Sequence, residues 1–121
     1  MAEDLLADVN KPKDINNLTD LEKKHLPVIE APDEAAAGEP FEVTIEVGKL
    51  LAHPNEPGHH IEFIDLYLDR VFVARVDLAA VKACPRITLP VALSRGGVLR
   101  AFACCNLHGV WEGTREIAIK T

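Results

Sequence analysis

Serine occurs once in this chain of 121 residues, at Ser94, and glutamine does not occur. Ser94 lies in Ser94-Arg95-Gly96-Gly97, a turn signal rather than a G-x-S-x-G elbow, so serine hydrolase chemistry is excluded. There is no G-x-G-x-x-G and no phosphate loop, since Gly48-Lys49 is followed by Leu50; nucleotide cofactors lose their usual handholds. Bases are outnumbered by acids, 13 to 19, and the net charge of -6 repels phosphate backbones and anionic lipid, so neither nucleic acid nor a membrane surface is an expected partner. No apolar run approaches the roughly 20 residues of a membrane span, and the Met-Ala-Glu-Asp start is acidic where a signal peptide is basic, so the chain reads as cytoplasmic. Cysteine is limited to Cys84, Cys104 and Cys105, an odd set that a reducing compartment would not commit to structural disulfides. The one methionine is Met1, which leaves a blue-copper site without its weak axial ligand.

What is present is ordinary globular material, 48% hydrophobic and 26% charged, of a length that predicts one domain over residues 1–121. Residues 1–20 read as a short N-terminal extension, with Leu5, Leu6 and Val9 as its only apolar face, packing on the core or on a neighbour. Thr19-Asp20-Leu21-Glu22 matches a capping box, which predicts a helical turn that Pro27 stops. Beyond it the period falls to two. Phe41, Val43, Ile45 and Val47 alternate with Glu42, Thr44 and Glu46, and further strands are expected over 60–69, 71–76, 87–93, 98–105 and 116–119. Turn signals at 69–70, 85, 94–97 and 109–114 separate them. The pattern predicts an all-β, immunoglobulin-like antiparallel β-sandwich of about seven strands.

Four of the five histidines fall where strands give way to loops. His25 follows the first turn, His53 and His59 bracket His53-Pro54-Asn55-Glu56-Pro57-Gly58-His59, and His108 stands three residues after Cys105. Each alone is an ordinary solvated histidine; together with one thiolate they have the spacing of a metal site. Imidazole and thiolate suit zinc or iron alike. A closed structural zinc needs four ligands, whereas five candidates exist, which leaves an open position for substrate chemistry if all five bind. His60 alternates away from His59 and reads as a strand residue, and Cys104 points to the face opposite Cys105; it and Cys84 read as structural. A non-catalytic metal-binding sandwich, or an electron-transfer protein, is the competing reading.

Three segments resemble the superoxide reductases, in particular the short one-iron form called neelaredoxin: Lys24-His25-Leu26-Pro27-Val28-Ile29, His53 through Ile61, and Cys105-Asn106-Leu107-His108-Gly109-Val110-Trp111-Glu112. They occur in family order and cover the chain from about residue 20 onward. The resemblance implies one iron per chain, held equatorially by His25, His53, His59 and His108 with Cys105 as axial thiolate, and the reduction of superoxide to hydrogen peroxide. It implies that Lys24 attracts the anion and helps deliver protons. The family usually places a glutamate two residues before the first histidine, where Lys23 stands here; Glu22, one step further away, either reaches the sixth site or only caps the turn, and capping is favoured. No cysteine precedes Cys84, so the four-cysteine iron domain of the longer desulfoferrodoxins is absent and electrons come from outside, from rubredoxin or a similar small donor. Short members are often homotetramers, and Trp111 is expected to pack over the thiolate loop.

Overall fold

The computed structural model describes residues 4–121. A six-residue helix, α1 (Asp20–His25), is followed by eight strands: β1 (Pro27–Glu30), β2 (Glu34–Ala36), β3 (Phe41–Val47), β4 (Ile61–Leu68), β5 (Val71–Asp77), β6 (Arg86–Val91), β7 (Gly97–Cys105) and β8 (Gly109–Lys120). They form a three-stranded sheet in the order β1-β3-β6 and a five-stranded sheet in the order β2-β8-β7-β4-β5. The inward residues of both, among them Val43, Ile45, Ile64, Leu66, Leu99 and Ala101, make one continuous apolar core. This is the expected sandwich, with alternation on β3 and β7 converting directly into buried and wetted faces.

Three details depart from the sequence reading. β1 and β2 were not expected, because four and three residues containing Pro27 and Ala35-Ala36 carry almost no strand signal of their own. Among the described strand pairs the β2–β8 pairing is parallel and the other five are antiparallel, so the sandwich is not wholly antiparallel. β8 begins at Gly109 rather than near Glu116, and the stretch taken for a turn is strand. The turn is Asn106 to His108; Gly109 leaves it at φ 83°, a left-handed conformation glycine adopts without penalty. Gly113 is strand in which the backbone passes so close to the Pro27 carbonyl oxygen that a Cβ would collide with it. Pro90 is tolerated because β6 is an edge strand.

The capping box forms as expected and starts α1, with Glu22 N–H donating to Thr19 Oγ1 at 3.2 Å and Thr19 N–H donating to Glu22 Oε1 at 2.9 Å. The described part of the extension packs on its own chain. Asn10 bridges to Trp111 beside β8, its N–H donating to the Val110 carbonyl at 2.8 Å, and its side chain donates to the Leu5 and Val110 carbonyls. Residues 1–3 of the expected extension lie outside the described residues. No described helix is long and apolar enough to cross a membrane.

Candidate metal centre

Three separate stretches deliver four imidazoles to one end of the sandwich. His25 is the last residue of α1 and is buried, 1% exposed. Its Nδ1 lies 2.7 Å from the Leu21 carbonyl one turn back, which fixes the proton on Nδ1 and turns Nε2 toward the other histidines. His53 is fixed in the same way, Nδ1 lying 2.6 Å from the Pro54 carbonyl. His59 closes a tight loop in which Glu56 and His59 exchange backbone hydrogen bonds around Pro57-Gly58. His108 lies in the turn between β7 and β8, its Nδ1 3.8 Å from Cys105 Sγ.

The rings contact one another in sequence around a closed circuit. Centroids are 4.7 Å apart for His25–His53, 4.8 Å for His53–His59, 5.1 Å for His59–His108 and 5.0 Å for His108–His25, all edge to face. Cys105, 1% exposed at the end of β7, joins them: its sulfur and one nitrogen each from His25, His53 and His59 all lie within 4.8 Å of one another. The ladder explains this meeting, because Ile61 pairs with Cys105 and a register shift between Ile61 and Phe63 lets the strand bend at this point.

The Nε2 atoms of His25, His53 and His59 are buried and have no hydrogen-bond partner. Three unsatisfied nitrogens facing one another beside a sulfur would be a costly arrangement for packing alone, and it fits a thiophilic, imidazole-binding cation such as iron or zinc. Burial keeps the imidazoles neutral and so ready to donate lone pairs: the His25 pKa is pushed down to about 4, and those of His53 and His59 are also lowered, mainly by desolvation. Lys24, half-buried beside His25, adds to the depression at His53 and His59, which places its ammonium in the field of the site. Burial raises the Cys105 thiol, while the N–H groups of Leu107 and His108, which donate to the sulfur, oppose that rise.

Glu22 is brought elsewhere. It is only 7% exposed, and both carboxylate oxygens accept from backbone amides, Oε1 from Thr19 and Oε2 from Lys13 at 3.0 Å. Trp111 stacks on His25, centroids 5.1 Å apart, and donates to the His108 carbonyl at 3.0 Å. It therefore packs on two histidines rather than only over the thiolate loop. Cys104 faces away, its sulfur 3.6 Å from Glu62 Oε1 and its pKa raised to about 11 by burial first, and Cys84 is exposed. His60 stands outside the ring contacts just before β4.

Two asparagines near the ligand candidates lie in the segments that carry the resemblance, yet the sequence assigned them no role. Asn55 exchanges hydrogen bonds with Val81 and donates to the Ala83 carbonyl, tying the His53–His59 loop to the segment before β6. Asn106 joins the same loop to the end of β7. Asparagine in a loop commonly bonds local backbone, whereas the partners here are 26 to 48 residues away in the chain.

Residues 17–114 match the family described as Desulfoferrodoxin. The chain is 37% identical over 104 residues to a superoxide reductase of Pyrococcus horikoshii, covering 78% of this chain and 88% of that one. It is 34% identical over 116 residues to the neelaredoxin of Megalodesulfovibrio gigas, covering 81% and 89%. Its fold superimposes on a solved superoxide reductase (neelaredoxin) of Ignicoccus hospitalis with a TM-score of 0.81 at 35% identity, over 93% of this chain and 95% of that one. A match over most of the length, with the histidine and cysteine cluster at the end of the sandwich, makes this chain a member of the desulfoferrodoxin family.

Proposed function

We propose that this chain is a superoxide reductase that binds one iron through His25, His53, His59, His108 and Cys105 and converts superoxide to hydrogen peroxide. The observation that supports this most directly is the closed circuit of four imidazoles whose buried Nε2 atoms at His25, His53 and His59 lack any partner beside the Cys105 sulfur. Iron held by these five side chains would supply the one-electron couple for reducing superoxide, with two protons, to hydrogen peroxide, the electron coming in turn from an external donor such as rubredoxin.

The residues of this chain set the conditions for that reaction. Neutral imidazoles add no charge, so the ligand set with its one thiolate would leave a bound ferrous ion a net formal charge of about +1, which would favour an anionic substrate despite the acidic protein. Lys24 adds a second positive charge beside His25, steering the anion and offering a proton at Nζ. The Leu107 and His108 amides withdraw density from the Cys105 sulfur and so moderate its donation. The carbonyls of Leu21 and Pro54 hold the protons of His25 and His53 on Nδ1, which keeps Nε2 of each available as the ligating atom.

Purified protein should carry about one iron per chain, consume superoxide in the presence of a reductant and evolve no oxygen from it. Cys105→Ser should fold and lose the activity. Oxygen released in the yield of dismutation, or full activity in Cys105→Ser, would overturn the proposal.

A further inference from the structure

His59 differs from the other two histidines with a buried, unpartnered Nε2. The rings of His25 and His53 are each oriented by a carbonyl at Nδ1. Among the described residues no hydrogen bond does this for the ring of His59, so its direction depends on its backbone. That backbone is gripped on both sides by one side chain. Asn106 Nδ2 donates to the Gly58 carbonyl at 3.0 Å, Asn106 Oδ1 accepts from the His60 N–H at 2.9 Å, and the Asn106 N–H donates to the His60 carbonyl at 3.2 Å. The two peptide groups flanking His59 are therefore tied to the residue that follows Cys105.

We propose that Asn106 is a positioning residue that fixes the imidazole of His59 relative to the Cys105 sulfur. The inference rests on the ligand set proposed above. An asparagine is suited to the task because its amide presents one acceptor and one donor in the arrangement of a peptide group, and it continues the β7–β4 ladder past Cys105. Only one orientation of the amide satisfies both partners, since the reverse would set donor against the His60 N–H and acceptor against the Gly58 carbonyl. Aspartate keeps the acceptor and loses the donor, placing an oxygen against the Gly58 carbonyl. The Glu56–His59 pair closes the turn on itself, so loosening Asn106 frees the segment from Glu56 to His60 as a unit.

The test compares iron release to a ferrous chelator from the iron-loaded wild type, Asn106→Ala, Asn106→Asp, His59→Ala and Ile117→Val, with thermal unfolding of each metal-free protein. Ile117 is a core residue at the far end of β8, paired with Gly97, and serves as a comparator for simple destabilisation. Asn106→Ala should release iron about tenfold faster than wild type or more, toward the rate of His59→Ala, while Ile117→Val keeps the wild-type rate. The visible spectrum of the oxidised iron protein should shift in Asn106→Ala and not in Ile117→Val. Release from Asn106→Ala within about twofold of wild type, or an equal acceleration in Ile117→Val, overturns the inference. Should Asn106→Ala fail to fold, Asn106→Asp, which keeps the bond to the His60 amide, decides by the same thresholds. If His59→Ala itself retains iron like wild type, the ligand set is wrong, an outcome separate from any result at Asn106.

Discussion

Glu22 lies three residues before His25, and its two possible roles make opposite predictions on substitution. In the structure each of its oxygens holds a backbone amide, one at the cap of α1 and one in the extension at Lys13. Hydrogen bonds to a charged group contribute about 1.5 to 3 kcal/mol each, and the lower figure applies because water can reach the exposed Thr19 and Lys13 amides. Glu22→Ala should therefore destabilise the protein by about 3 kcal/mol, and Glu22→Gln, which keeps one acceptor, by roughly half of that. For a domain of this size a 3 kcal/mol loss lowers the melting temperature by about 10 °C. The sign of the pH dependence is fixed as well. The two amides hold the Glu22 carboxyl below its ordinary value of 4.5, so its contribution is complete above that value and is lost as pH falls through the lowered native one. Urea unfolding of wild type and Glu22→Gln should differ at neutral pH and converge as pH falls below the lowered native value. The visible spectrum of the oxidised iron protein should be the same in both. A loss under about 0.5 kcal/mol in Glu22→Ala, together with a changed spectrum, would refute the capping argument and bring the carboxylate to the metal.

Lys24→Ala should slow the second-order capture of superoxide about three- to tenfold at low ionic strength and flatten its salt dependence, measured by pulse radiolysis, because a steering charge acts on association; an unchanged rate would count against Lys24. In the metal-free protein the imidazoles of His25, His53 and His59 are held below their unfolded values, so the native state binds fewer protons and stability falls as pH drops below about 6.5. The fall from 6.5 to about 4 at His25 alone corresponds to about 3 kcal/mol, checked by denaturant melts across that range; a flat profile would show that the site is wetter than its burial indicates.

The strands with two-residue alternation and adequate length were legible, and β3 and β7 lie close to their expected bounds. β1 and β2 were not, since their pairing is non-local and short segments rich in Pro, Glu and Ala carry no pattern. Gly109 and Gly113 were read as breakers because glycine usually punctuates; here one serves a left-handed turn exit and the other a close crossing of β8 over β1, and only tertiary contact distinguishes these uses. The five ligand candidates were legible because their chemistry is in the side chain and their spacing is unusual. Asn106 and Asn55 act through side-chain amides whose backbone partners lie on distant segments, and the Leu21 carbonyl acts through helix geometry; a single residue's type does not name such partners. The capping box is the one local motif that reported on both fold and site, since it starts the helix that ends on His25 and occupies the carboxylate that could otherwise approach it.

The devices that hold four of the five candidate ligands do not depend on a metal. α1 is capped by Thr19 and Glu22, His53 is held by its neighbour's carbonyl, the His59 loop is closed by Glu56 and gripped by Asn106, and Cys105 is carried on a strand paired on both sides. The apolar core is built from both sheets and draws only Cys105 from the ligand set. This differs from a zinc finger, where the metal supplies the folding energy. Chelation should therefore leave a protein with a native circular dichroism spectrum and a single cooperative unfolding transition. Adding iron back should raise the melting temperature in proportion to the logarithm of free metal above its dissociation constant, as linkage requires when only the folded state binds. Collapse of the spectrum on chelation would show instead that the imidazole circuit is assembled by the ion, and the preorganisation argued for His25, His53, His59 and Cys105 would be wrong.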